Sequence, residues 1–224
     1  MNEAEWLACT DLPRLIKNLR GSGRDRKLRL FACACARRLS HLIPDGKFRD
    51  AIELAERFAD GAACSEELSR VHKAGMESWF EAGMAWACMI TGGMSVAIEE
   101  ASGAALYTAM HVPDTAFPAG TPNRNAAKAV ERQAHRTFLH DIFGNLFCPI
   151  ATGSFWSSTV TALAQAAYDN RTLPSGELNR DRLAVLADAL EDAGCTEAAI
   201  LDHLRGQGPH VRGCIVVDWL LGKE

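Results

Sequence analysis

Cys195, His203, His210 and Cys214 crowd the C-terminal part of the chain. Imidazole nitrogen and thiolate sulfur are the usual donors to a zinc ion, so this is where metal chemistry would be expected. Spacing trims the set. Cys195 and His203 bracket an expected helix, and eight residues at a rise of about 1.5 Å separate them by about 12 Å, too far to share an ion. His203, His210 and Cys214 can converge if the Gly206-Gln207-Gly208-Pro209 turn folds the last segment back. Asp218 falls one helical turn beyond Cys214. The competing reading is structural: Cys214 has apolar neighbours, and Ile215, Val216, Trp219 and Leu220 would plug a core.

Other clusters carry less. Cys33 and Cys35 are two apart, so on a helix their thiols diverge by about 200° and cannot chelate one ion. Core packing is the better account of both. The chain has no Cys-x-x-Cys pair, which excludes a conventional zinc ribbon. Glu131 and His135 share a helix face, with His140 and Asp141 just beyond. A di-iron bundle needs Glu-x-x-His twice, and only one imperfect copy is present, so an exposed ion pair is expected here. Arg24, Arg26, Lys27, Arg29, Arg37 and Arg38 form the strongest basic cluster, able to contact phosphate or an acidic partner, against the alternative of a solvated helix face. The segment lacks P-loop spacing. Residues 183–205 outline a helix-turn-helix, but Glu197 and Asp202 on the second helix would repel phosphate, which argues against DNA reading. No nucleophile elbow is present, so the sequence favours a non-enzymatic role.

These side chains must be positioned by helices. Apolar residues recur at three and four along most of the chain, and strand alternation is scarce. The pattern predicts helices over "NEAEWLAC", "LPRLIKNLR" after a Thr10 or Asp11 cap, 25–43, 48–60, a long one from Ser65 to about Ile90, and 94–110. Further helices are expected over 125–143 with a Gly144-Asn145 stop, 156–169, 180–193, 196–205 and 210–221. The fold expected is all-α, an irregular domain of about nine or ten helices, as one unit or two packed halves. In the two-half reading, residues 1–110 hold the basic helix pair, 111–123 form a Pro-rich loop, and 124–224 form the second half.

At 48% hydrophobic and 23% charged the chain has a globular composition, and its net charge of -4 argues against a whole-protein nucleic-acid role. The basic excess lies before residue 43 and the acidic excess after 172. The start is acidic, without a signal-like apolar core, and the most apolar stretch, 83–94, is short of the roughly 20 residues a membrane span needs. A cytoplasmic protein with eight reduced cysteines is expected.

Two blocks of sequence resemble an uncharacterised family of small bacterial helical proteins that occurs as many paralogues in some large genomes. The first is "EAEWLACTD" with "DRKLRLFACACARRLSHL". The second is "HDIFGNLFCPI", "LAQAAYDNR" and "LAVLADALEDAGCTEAAILDHLRGQGPHVRGCIVVDWLLGKE". Together they cover a little over half the chain and leave about 60–125 unmatched. Where the family has a proline and an arginine near "DIFGN", Leu146 and Cys148 stand here, which weakens any role for Cys148. "LADALEDAGC" also resembles short segments found beside leucine-rich repeats. The resemblance implies a cytoplasmic bacterial protein and no particular chemistry.

Three functions are expected in order of preference. The first is a protein–protein adaptor that needs no cofactor, using the basic N-terminal helices and the acidic C-terminal hairpin as contact surfaces. The second is a regulatory or catalytic zinc protein using His203, His210 and Cys214. The third is RNA or phosphate binding through the six basic residues, with nucleic acid the less favoured partner.

Overall fold

The computed structural model describes residues 1–19, 24–38, 46–78, 122–148, 150 and 156–223. Within them the chain forms ten helices and one two-stranded ribbon, the all-α architecture expected. The helices are α1 (Glu3–Ala8), α2 (Leu12–Asn18), α3 (Asp25–Arg37), α4 (Gly46–Ala59), α5 (Ser65–Ser78) and α6 (Arg124–Phe143). They continue with α7 (Ser158–Asp169), α8 (Arg180–Asp192), α9 (Ala198–Arg205) and α10 (Ile215–Leu220). Most of the Pro-rich segment 111–123, the expected run of the fifth helix past Ser78 and the helix over 94–110 lie outside the described residues. Among the described residues no helix is long and apolar enough to cross a membrane.

Local chemistry sets the helix starts. Asn2 and Glu5 form a reciprocal capping box on α1. Asp11, rather than Thr10, caps α2 by accepting from the Arg14 amide, and Pro13 occupies the first turn. Ser157 and Asn179 cap α7 and α8 in the same way. Gly144, at φ +58°, ends α6, and its carbonyl accepts a hydrogen bond from the Trp6 indole at 3.0 Å.

Two hydrophobic clusters hold the molecule. One gathers Trp6, Leu12, Leu15, Ile16 and Leu19 around Leu28, Phe31 and Cys35 of α3 and Phe138, Leu139 and Ile142 of α6. The other packs α7, α8, α9 and α10 through Val160, Ala164, Leu183, Leu186, Leu190, Leu204, Cys214 and Val217. Helix α6 therefore packs on the N-terminal residues, although its sequence position follows the Pro-rich segment. Val211, far along the chain, also joins the first cluster.

Helix α3 is buried on more than one side, which corrects the solvated basic face expected from its sequence. Lys27 and Arg37 are buried beside the apolar stripe. Cys33 lies near Glu56 and Arg37, whereas Cys35 lies near Glu131 and Arg38, so the two thiols do diverge.

The ribbon was not anticipated. Arg171–Thr172 pairs antiparallel with Glu177–Leu178, and Glu177 makes a further bridge to Val211. Pairs this short leave no alternation to detect. The connecting turn requires Gly176, at φ +76°: a Cβ there would collide with the Cδ of Arg37. Arg37 cannot swing aside, because its guanidinium grips both oxygens of buried Glu56 at 2.7 and 2.9 Å. Gly176→Ala is expected to destabilise the protein by about 2 kcal/mol, from backbone strain plus overlap. A shift in the urea midpoint measures it; an unchanged midpoint would contradict the fit described here.

Candidate metal centre

Four side chains from three stretches of chain meet at one point. Asp141 comes from the last turn of α6, His203 from α9, His210 from the loop after it, and Cys214 from the residue that begins α10. One potential ligand atom from each lies within 4.8 Å of all the others. His210 Nδ1 is 2.7 Å from Asp141 Oδ1. His203 Nε2 is 3.2 Å from the same oxygen and 3.1 Å from Cys214 Sγ. Asp141, His210 and Cys214 are buried, and His203 is partly exposed.

Backbone contacts fix these side chains. The Val211 amide donates to the other oxygen of Asp141 at 2.9 Å. The Leu178 amide donates to the His210 carbonyl at 2.8 Å, so the ribbon holds the loop from its other side. Gly208, at φ +69°, turns the chain into the site; a Cβ there would press on the His210 amide at 3.1 Å. These supports act as the outer shell that orients metal ligands elsewhere.

Electrostatics reflect the crowding. Burial pushes the Asp141 carboxyl up, but hydrogen bonds from His203 and His210 outweigh it and hold it below the usual range. Burial pulls the His210 ring down, yet Asp141 and Cys214 raise it to about 9. Burial and the Asp141 charge push the Cys214 thiol up to about 11. The second ring nitrogen of His210 is buried without a hydrogen-bond partner.

A cysteine, a histidine and an aspartate also make a nucleophilic triad, but this geometry does not. A triad histidine faces the nucleophile with one ring nitrogen and the carboxylate with the other. Here one nitrogen of His203 faces both, and His210, whose Nδ1 faces Asp141, makes no hydrogen bond through its Nε2. A buried thiol with a raised pKa is also the opposite of an activated nucleophile. Donor atoms converging on one point suit a cation.

His203, His210 and Cys214 are thus brought together by the turn at 206–209, as their spacing allowed. The expected helix over 210–221 is shorter, beginning at Ile215, and His210 sits in a loop. Asp218 does not extend the cluster; it turns to Arg26, 2.6 Å away. Asp141 completes the site, although its sequence position offers no link to residues more than sixty positions later. The one local hint is a carboxylate beside Phe138 and Ile142 on the buried face of a helix.

The six basic residues do not form one exposed face. Arg26 pairs with Asp60 and Asp218, Arg37 with Glu56, and Arg38 with Glu131. Lys27 is buried and donates to the Ile142 carbonyl, Arg29 lies over the Phe58 ring, and Arg24 is half-buried before α3. Glu131 and His135, expected as an exposed pair, are buried together, with Arg38 where a second cation would sit. No family profile, curated protein or solved structure matches the chain.

Proposed function

We propose that this chain is a metal-binding protein in which Asp141, His203, His210 and Cys214 hold one divalent ion of the zinc class. The observation that carries the reading is the convergence of four donor atoms within 4.8 Å, with one His203 nitrogen facing both thiol and carboxylate. A mixed nitrogen, sulfur and oxygen set favours zinc and its neighbours over magnesium or calcium, which prefer oxygen alone. An adaptor role is supported less, because Arg26, Arg37 and Arg38 are occupied by internal carboxylates rather than presented to a partner.

Elemental analysis of the full chain after zinc loading and desalting tests this. A single equivalent of zinc is expected. His210→Ala and Cys214→Ser should each weaken binding by at least about a hundredfold while the helical circular dichroism persists. Loss of neither stoichiometry nor affinity in these variants, or a parent chain that retains no metal, would overturn the reading.

A further inference from the structure

Resting on that reading, we infer that the ion is a closed four-coordinate structural centre that pins the two hydrophobic cores together, rather than an open site for substrate. The count of donors comes first. Four protein ligands complete the tetrahedron of a structural zinc, whereas catalytic sites keep one position for water or substrate. Metal–ligand bonds of about 2.0–2.3 Å put neighbouring donors roughly 3.3–3.8 Å apart. The closest pairs here, at 2.7, 3.1 and 3.2 Å, must open slightly, and pairs as far as 4.8 Å must close by about an ångström. Shifts of that size are within reach of side-chain rotation. They would exchange the protons now shared between ligands for one cation.

Access points the same way. Cys214 and His210 are 0% and 5% exposed, and Asp141 is 5% exposed. A substrate would have to enter past His203, which is itself a ligand.

The position of the site supplies the role. Asp141 sits on α6 among Leu139, Ile142 and Phe143 of the first core. Cys214 belongs to the second core, and His203 lies on α9, whose neighbouring Leu204 belongs to it too. The stretch between His210 and Cys214 runs along the first core before Cys214 enters the second. Val211 enters the first core, and Gly213 lies so close to α3 that a Cβ would stand 3.1 Å from Leu30 Cδ1. An ion held by Asp141 on one side and by His203 and Cys214 on the other therefore spans the seam. Metal binding to such a site is coupled to folding, because ligands distant in sequence converge only in the native state.

Cobalt is the probe for coordination, and hydrogen exchange is the probe for the seam. The cobalt-loaded chain should show the intense visible bands of four-coordinate cobalt with a thiolate charge-transfer band. Cys214→Ser should lose the charge-transfer band, and added azide should leave the parent spectrum unchanged. Weak bands of six-coordinate cobalt, or a spectrum that shifts with azide, would overturn the closed site while leaving metal binding intact. A chain that takes up no cobalt or zinc fails at the earlier reading instead. Zinc-loaded and chelator-treated chains are then compared by hydrogen exchange. Amides in both 135–143 and 203–220 should exchange about tenfold or more slowly with zinc. Protection confined to 203–220 would overturn the pin between cores.

Discussion

Replacing Arg26 with Met is expected to cost the fold about 3–5 kcal/mol, among the largest effects of any single change here. The Arg26 side chain ties α3 to α7, α10 and the turn after α4. Its Nη1 and Nη2 donate to the two oxygens of Asp218 at 2.6 and 3.2 Å, its Nε donates to Asp60 at 2.9 Å, and Nη2 also donates to the Tyr168 hydroxyl at 2.8 Å. Tyr168 in turn donates to Asp60. Asp218 is 0% exposed, and burial already pushes its carboxyl above the ordinary range while Arg26 pulls it back. Without Arg26 the charge on Asp218 loses its bidentate partner. Lys27 faces the same carboxylate, but its ammonium is held by the Ile142 carbonyl.

The remedy separates lost attraction from an orphaned charge. In Arg26→Met/Asp218→Met both charges are gone, and much of the loss should return, because apolar replacement of a buried pair is often near neutral. Urea denaturation of the two variants and Asp218→Met alone completes a double-mutant cycle. An Arg26→Met stability within about 1 kcal/mol of the parent would show that Asp218 does not depend on Arg26.

Raising the pH of the metal-free chain should remove on the order of 3 kcal/mol of stability, through His210. Its ring ordinarily titrates near 6.5, and in the fold it is raised to about 9. A raised histidine contributes stability that is fully present below about pH 6.5 and is lost as pH climbs through about 9. Several groups titrate around it. Burial holds His135 and His140 below their ordinary value, so both act in the opposite sense and below that window. The Cys214 thiol, pushed up to about 11, adds its own loss only above the ordinary thiol value of about 9. Lys27 is lowered by burial and opposes the trend. The difference between parent and His210→Gln across pH 6 to 9 isolates the ring. That difference should shrink steadily over the window, and a constant difference would contradict the Asp141–His210 pairing. Saturating zinc should reverse the parent slope, since the ion displaces the protons.

Much of the scaffold was legible because its causes are local. Asn2 with Glu5, Asp11 with Pro13, Ser157 and Asn179 start helices through contacts spanning three residues, and Gly144 stops one through its own backbone. The ribbon at 171–178 was not, because two residues per strand are too few to set a period. The basic residues misled for a related reason. Periodicity placed Arg26, Lys27, Arg37 and Arg38 beside the apolar stripe of α3, but says nothing about what packs over that side. Glu56 and Glu131 arrive there from other helices, and Asp60 from the turn after α4.

Helix rise and a glycine-proline turn fix separations over a dozen residues, so spacing alone showed that His203, His210 and Cys214 could meet and that Cys195 could not. That Asp141 joins them and Asp218 does not follows from how the helices pack. Both carboxylates lie on helices, and helical geometry governs direction within an element but not the partner it meets. Packing of α6 against α3 turns Asp141 toward the loop at 210–211, and packing of α10 on α7 and α6 delivers Asp218 to Arg26. Burial then leaves each carboxylate dependent on the cation or proton donors it meets there.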